Sequence, residues 1–491
     1  MKIATILKPA AAAAALFCAL LSSAQAATIV VTSRDPAGVG FNDTTPVAPV
    51  GGNTGTTLGQ QRLNVYQFVA GLWGAALQSD VTITVNAGWE ALTCSATSAV
   101  LGSASAWNFW HDFPGAVPGT WYPQALGNKI SGTNLSAGQP DDGTGYGNVD
   151  IKTQFNVNLG NAGCLTGTPF YLGLDGNAGT KVNFMTTLLH EIGHGLGFSL
   201  GFTNAQTGRR VNAAGTAYDT GTNGGLPSIW ETYMYDGTLG TSWLNTTSYT
   251  QRAASSINTG KLAWNGPLTV AGAAQTLSAT PSLQVSTAAQ KLPSLFPVGT
   301  SSTFGPTVTF PMNMGNVADT GSDACSALPA NSLTGKVAMV NRGTCNYTVK
   351  AKGAQDAGAI GVIVVNNVAG APISMGGADA TVVIPAVMVS QADGATIRTM
   401  LADALKYGSR SKPGMINAST ALDNSKKAGA DSGGRPLLYA PNPYVGGSSV
   451  SHWDVSAFPN LLMEPNINAD LTNSLVPPLD LTLPLLKDIG W

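Results

Sequence analysis

Apolar residues recur at helical spacing from Arg62 to Leu77, where Leu63, Tyr66, Phe68, Val69, Leu72, Trp73 and Leu77 fall mostly on a 3.6-residue period. Val81–Val85 (VTITV) alternates and predicts a half-buried strand, and Val149–Val157 alternates in the same way. The helical period returns from Val182 to Leu196, with Met185, Leu188, Leu189 and Ile192 on the inward side. Gly195 and Gly197 are expected to end that helix, because glycine adopts the left-handed conformation at least cost. Residues 27–60 are rich in Gly, Thr and Pro and read as a loose or extended start.

The middle of the chain has a different texture. From about Leu268 to Leu405, strands dominate: Lys336–Val340, Ala359–Asn366 and Thr381–Val389. Between them lie a short helix at Tyr347–Gly358 and a longer one at Gln391–Leu405, for which Ser390 is the natural N-cap. This alternation predicts an α/β or α+β module of its own. The chain closes on an amphipathic segment, Leu481–Trp491.

A length of 491 residues exceeds one ordinary core, and 44% hydrophobic content argues against large-scale disorder. Charged residues make up only 10%, and the formal charge of −2 provides no basic field for nucleic acid. Lys2 and Lys8, the apolar run Ala10–Leu21 and Ala24-Gln25-Ala26 form a signal-peptide pattern over residues 1–26. The run is too short to span a bilayer, so the expected setting is secreted, extracellular or periplasmic, with no membrane span. Its removal would take two Lys and no acid, leaving −2 − 2 = −4. Cys18 would leave with it. Cys94, Cys164, Cys325 and Cys345 would remain, an even set in an oxidising compartment, whose clustering favours Cys94–Cys164 and Cys325–Cys345 among three connectivities.

The chemistry concentrates in a few residues. His190-Glu191-Ile192-Gly193-His194 places two imidazoles one turn apart on a single helix face, able to hold one metal ion. Glu191 lies between them, placed to take a proton from a water. This is the pattern of a zinc hydrolase, most simply a peptidase, in a chain with only four His and four Glu. A catalytic zinc ordinarily takes three protein ligands. Leu200, at the position where the extended motif carries another His, cannot serve. Glu231, Asp219, Asp236 and His111 are weaker candidates for the third ligand, and His452 is the strongest.

Two resemblances follow from these residues. Asp323-Ala324-Cys325, Val340-Asn341-Arg342-Gly343-Thr344-Cys345 and Lys352-Gly353-Ala354 resemble the protease-associated (PA) domain, a non-catalytic module thought to recruit or restrict substrates. His452-Trp453, followed by Met463 eleven residues later in Leu-Met-Glu-Pro, is similar to leishmanolysin-type metzincins, whose third histidine lies beyond an inserted segment. The resemblance implies one catalytic Zn²⁺ on His190, His194 and His452, Glu191 as general base, Gly197 as a turn and Met463 as a structural floor. The expected fold class is α+β, a zincin-type catalytic domain with a mixed sheet and an active-site helix, interrupted by an α/β PA-type domain. The domains implied are a leader at 1–26, catalytic segments at 27–267 and 411–491, and the insertion at 268–410. The implied function is a secreted metalloendopeptidase acting on proteins or peptides. An inactive zincin scaffold that binds through its PA domain is the alternative.

Overall fold

The computed structural model describes residues 25–96, 98–139, 149–287, 292–301, 303–407, 416–468 and 470–491. Residues 1–24 of the expected leader lie outside the described residues. No helix among the described residues is long and apolar enough to cross a membrane.

The first lobe starts with β1 (Ile29–Ser33), α1 (Leu58–Ala76), β2 (Ile83–Glu90), β3 (Gly102–Ala106) and β4 (Ile151–Asn156), and continues with α2 (Phe184–Leu196). The sheet order is β1-β2-β4-β3; β1, β2 and β4 run parallel, and β3 is antiparallel at the edge. The stretch 27–60 is therefore less loose than its composition suggests, since Ile29–Ser33 pairs with Ile83–Ala87. Helix α1 begins at Leu58, four residues before the apolar period becomes visible, because Thr57 Oγ1 accepts from Gln60 N. Its buried side, Val65, Tyr66, Val69 and Trp73, packs into the core shared with α2. Two polar ties join these layers: Tyr66 Oη to Thr153 Oγ1 at 2.8 Å and Trp73 Nε1 to Leu189 O at 3.2 Å.

After α3 (Pro267–Thr276) come β5 (Ala279–Thr287), β6 (Ser294–Pro297), β7 (Gly299–Thr300), β8 (Met312–Asp319) and β9 (Lys336–Asn341). They are followed by α4 (Tyr347–Asp356), β10 (Gly361–Val365), β11 (Ala386–Val389), α5 (Gln391–Tyr407) and β12 (Ile416–Lys427). These strands form one eight-stranded sheet in the order β6-β5-β12-β8-β9-β10-β11-β7. Alternate residues of β9 and β10 enter two cores. Ala338, Val340, Val362 and Val364 face α4, while Val337, Met339, Ile363 and Val365 face the side covered by α5. Burial on both faces explains why these strands read as unbroken apolar runs. Ser390 caps α5, accepting from Asp393 N at 3.0 Å.

The limits of this module differ from the expected 268 and 410. Helix α3 packs instead against α6 (Thr482–Ile489), and Asp488 of α6 caps it by accepting from Leu268 N and Thr269 N. Strand β12 belongs to the sheet although its small polar residues (INASTA) give almost no hydrophobic alternation. The boundary at residue 410 itself lies outside the described residues. The first and last strands of the insertion are antiparallel neighbours, with Ala279 opposite Lys427. The insertion therefore leaves the first lobe and returns to it at one point.

Candidate metal centre

Helix α2 carries His190, Glu191 and His194, and all thirteen of its residues are buried. Asn183 caps its start, accepting from Thr186 N. A helix enclosed on every side needs small residues where neighbours press closest. A Cβ on Gly195 would stand 2.2 Å from Ile151 Cγ2 of β4, and one on Gly193 would stand 3.0 Å from Met463 Sδ. Gly195 thus lies inside the helix rather than ending it, and is small because β4 touches it. Gly197, at φ +121°, makes the turn, which suits a residue without a Cβ.

His452 arrives from the far end of the chain. Tyr439 N donates to His452 O and Trp453 N donates to Met463 O, so its segment is fixed between residue 439 and the turn at Met463. That turn is held from outside. Glu464 accepts from Leu461 N at 2.8 Å, and Asp480 accepts from Leu462 N at 2.8 Å. Burial pushes the Glu464 carboxyl up to about 9 and the Asp480 carboxyl up to about 6.

The three histidines converge. His194 Nε2 lies 3.1 Å from His190 Nε2 and 3.2 Å from His452 Nε2, the only such metal-competent cluster among the described residues. Each Nδ1 faces a main-chain carbonyl: Leu462 O at 2.7 Å from His190, Phe198 O at 2.7 Å from His194 and Ser448 O at 2.8 Å from His452. A carbonyl only accepts, so every Nδ1 carries the hydrogen and every Nε2 presents a bare lone pair. Three lone pairs aimed at one point repel unless a cation lies among them, and imidazoles oriented by carbonyls are the usual support of a metal site. The donor set fits Zn²⁺. Burial and the neighbouring rings also keep the imidazoles neutral, with His190 lowered to about 4, His452 to about 3 and His194 well below its ordinary value.

Glu191 is buried beside them. Burial pushes its carboxyl up to about 8, and a hydrogen bond from the Ala104 main chain opposes that shift. A cleft of about 770 Å³ opens over Glu191 and the three histidines. One wall is β3, through Gly102, Ser103 and Ala104; the others are 199–206, 446–449 and 465–467.

The other candidates lie elsewhere. Glu231 is held by Arg210 through two hydrogen bonds of 2.9 and 2.7 Å. Asp236 anchors Asn258 and the main chain at Thr238, and Asp219 accepts from Gly221 N in a loop. His111 lies between Asp112 and Ala213 O, edge-on to Trp121. Cys94–Cys164 and Cys325–Cys345 are both disulfide-bonded. The orienting carbonyls of Leu462, Phe198 and Ser448 have no signal in a sequence. Asp480 does have one, as an acid two residues before the C-terminal helix whose first amide, Thr482 N, it accepts.

Residues 304–397 match the PA domain family. Within the chain, 91 residues are 37% identical to Signal peptide peptidase-like 2 of Arabidopsis thaliana. That is 18% of this chain, and the chain spans only 17% of that relative's length. Among solved structures, the zinc aminopeptidase BSAP of Bacillus subtilis is 19% identical over 33% of this chain and 37% of its own, at a TM-score of 0.20. An aminopeptidase from Aneurinibacillus sp. strain AM-1 is 16% identical over 40% of this chain and 41% of its own, at 0.17. Likenesses at such scores carry no argument about fold or chemistry.

Proposed function

We propose that the protein is a secreted, zinc-dependent metalloendopeptidase of leishmanolysin-like metzincin type with an inserted PA domain. The observation that carries this reading is the convergence of three Nδ1-protonated imidazoles beside one buried carboxylate. His190, His194 and His452 would hold the metal. Bound zinc supplies Lewis acidity, bringing a water pKa from ~15.7 towards ~7.

The remaining chemistry belongs to the chain. Glu191 accepts the proton of the attacking water and returns it to the leaving amine nitrogen. A cation held by the three Nε2 atoms would favour its carboxylate form. Among the described residues β3 has one strand neighbour, β4, and its other edge borders the cleft, where an extended peptide can pair along it. Met463, wholly buried against Gly193, supports the helix from below. Two disulfides and the leader pattern of residues 1–26 support export.

Metal analysis and casein hydrolysis test this reading. Wild type and Glu191→Gln should each bind zinc, and the variant should lose proteolysis by roughly 10²-fold or more. Equal proteolysis by the two would refute the role of Glu191, as full zinc affinity in His452→Ala would refute the remote ligand.

A further inference from the structure

Among the described residues, the walls of the cleft over the three histidines carry almost no charge. Of the 27 described residues that line it, Glu191 alone is acidic, and none is Lys or Arg. Val100, Leu200 and Ile467 give it apolar surface, and the exposed Ser103 gives a hydroxyl. Leu200 stands where the extended zinc motif would carry a histidine, and here, nearly buried, it lines the substrate side instead. A charged side chain that settles against these walls, away from Glu191 and the three histidines, gives up part of its hydration and meets no counter-ion among the described residues, which is unfavourable, whereas neutral side chains lose little.

We infer that the site selects extended peptide segments that are uncharged on both sides of the scissile bond, built from small, hydroxyl-bearing and apolar residues. The inference rests on the peptidase reading, and it concerns the walls of the cleft rather than its metal. Gln206 is the residue through which the preference can be changed, because it is exposed and lines the cleft.

Three measurements test it. In a digest of a diverse peptide library by the wild-type holoenzyme, Asp, Glu, Lys and Arg should be depleted roughly tenfold at the positions flanking the cut, the factor that corresponds to about 1.4 kcal/mol. Gln206→Glu should recover cleavage beside Lys or Arg, and Gln206→Lys should recover it beside Asp or Glu. Fluorescence titration of zinc-loaded Glu191→Gln should show a neutral Ser/Ala/Leu peptide binding more tightly than the same peptide carrying one Lys or one Asp. Charged residues at their natural abundance around the cuts would overturn the inference while leaving the peptidase reading intact. Absence of any cleavage would overturn the peptidase reading, and the titration would still decide the charge argument: equal affinity for the three peptides would end it.

Discussion

Replacing Glu231 with Gln isolates the role of a buried charge pair. Glu231 is 0% exposed and Arg210 5% exposed. Arg210 donates twice to Glu231 Oε2, while Thr203 Oγ1 and Ser228 N donate to Oε1. Glutamine keeps the volume but removes the charge, and turns one acceptor into a donor facing other donors. The guanidinium would then be left in the interior with only the Trp243 carbonyl, 3.3 Å from Nη2, as a further partner. Breaking one side of such a pair costs about 4 kcal/mol. At a urea dependence of about 3 kcal/mol per molar, the unfolding midpoint of the first lobe should fall by about 1 M. Trp230 and Trp243, buried beside the pair, report that transition by fluorescence. The double variant Arg210→Met/Glu231→Met, which removes both charges, should recover most of the loss. A single-variant midpoint indistinguishable from wild type, or a double variant no better than the single, would refute the reasoning. The cleft should respond as well, because Thr203, tied to Glu231, belongs to the same wall as Gln206.

Gly195→Ala should destabilise the first lobe by about 3 kcal/mol, since its methyl would meet Ile151; adding Ile151→Ala should restore part of that loss in a thermal melt. Asp150 accepts from Thr84 N and Asn128 Nδ2, yet burial pushes its carboxyl up to about 6. The folded state therefore holds its proton more tightly than the unfolded chain. Stability from this group is present below pH ~4 and falls by about 3 kcal/mol as pH rises to ~6, a slope that Asp150→Asn should remove from urea melts taken across that window. Serine at both Cys94 and Cys164 opens a loop of 70 residues and should cost about 4 kcal/mol, read as a lower unfolding midpoint under non-reducing conditions.

Much of the fold is legible in the sequence where periodicity is strong. The segments 182–196, 336–340 and 391–405 each coincide with an element, because large apolar residues there fall on a regular period. Strand β12 is hidden by small residues, and the start of α1 by a cap whose effect lies upstream of the apolar stripe. At the site, His190 and His194 are visible because four residues make one helical turn. His452 stands out through the weakness of the other candidates and the resemblance of His452-Trp453 and Met463 to leishmanolysin-type metzincins. What holds all three rings is main-chain carbonyls from three separate segments, and no residue type encodes where a carbonyl points.

The point at which the insertion leaves and returns, Ala279 beside Lys427, bears on how the chain is made. His190 and Glu191 are synthesised long before His452, which follows His194 by 452 − 194 = 258 residues. Until His452 has been added, the nascent protein holds two of the cluster's imidazoles and its carboxylate but cannot close the cluster. Pairing of the insertion's first and last strands then shortens the path between the two halves, though the saving in loop closure is only about 0.5 kcal/mol. The larger effect is on timing. The order of synthesis keeps the three imidazoles apart until the insertion has been made, so assembly of the cluster doubles as a check that the inserted module is present.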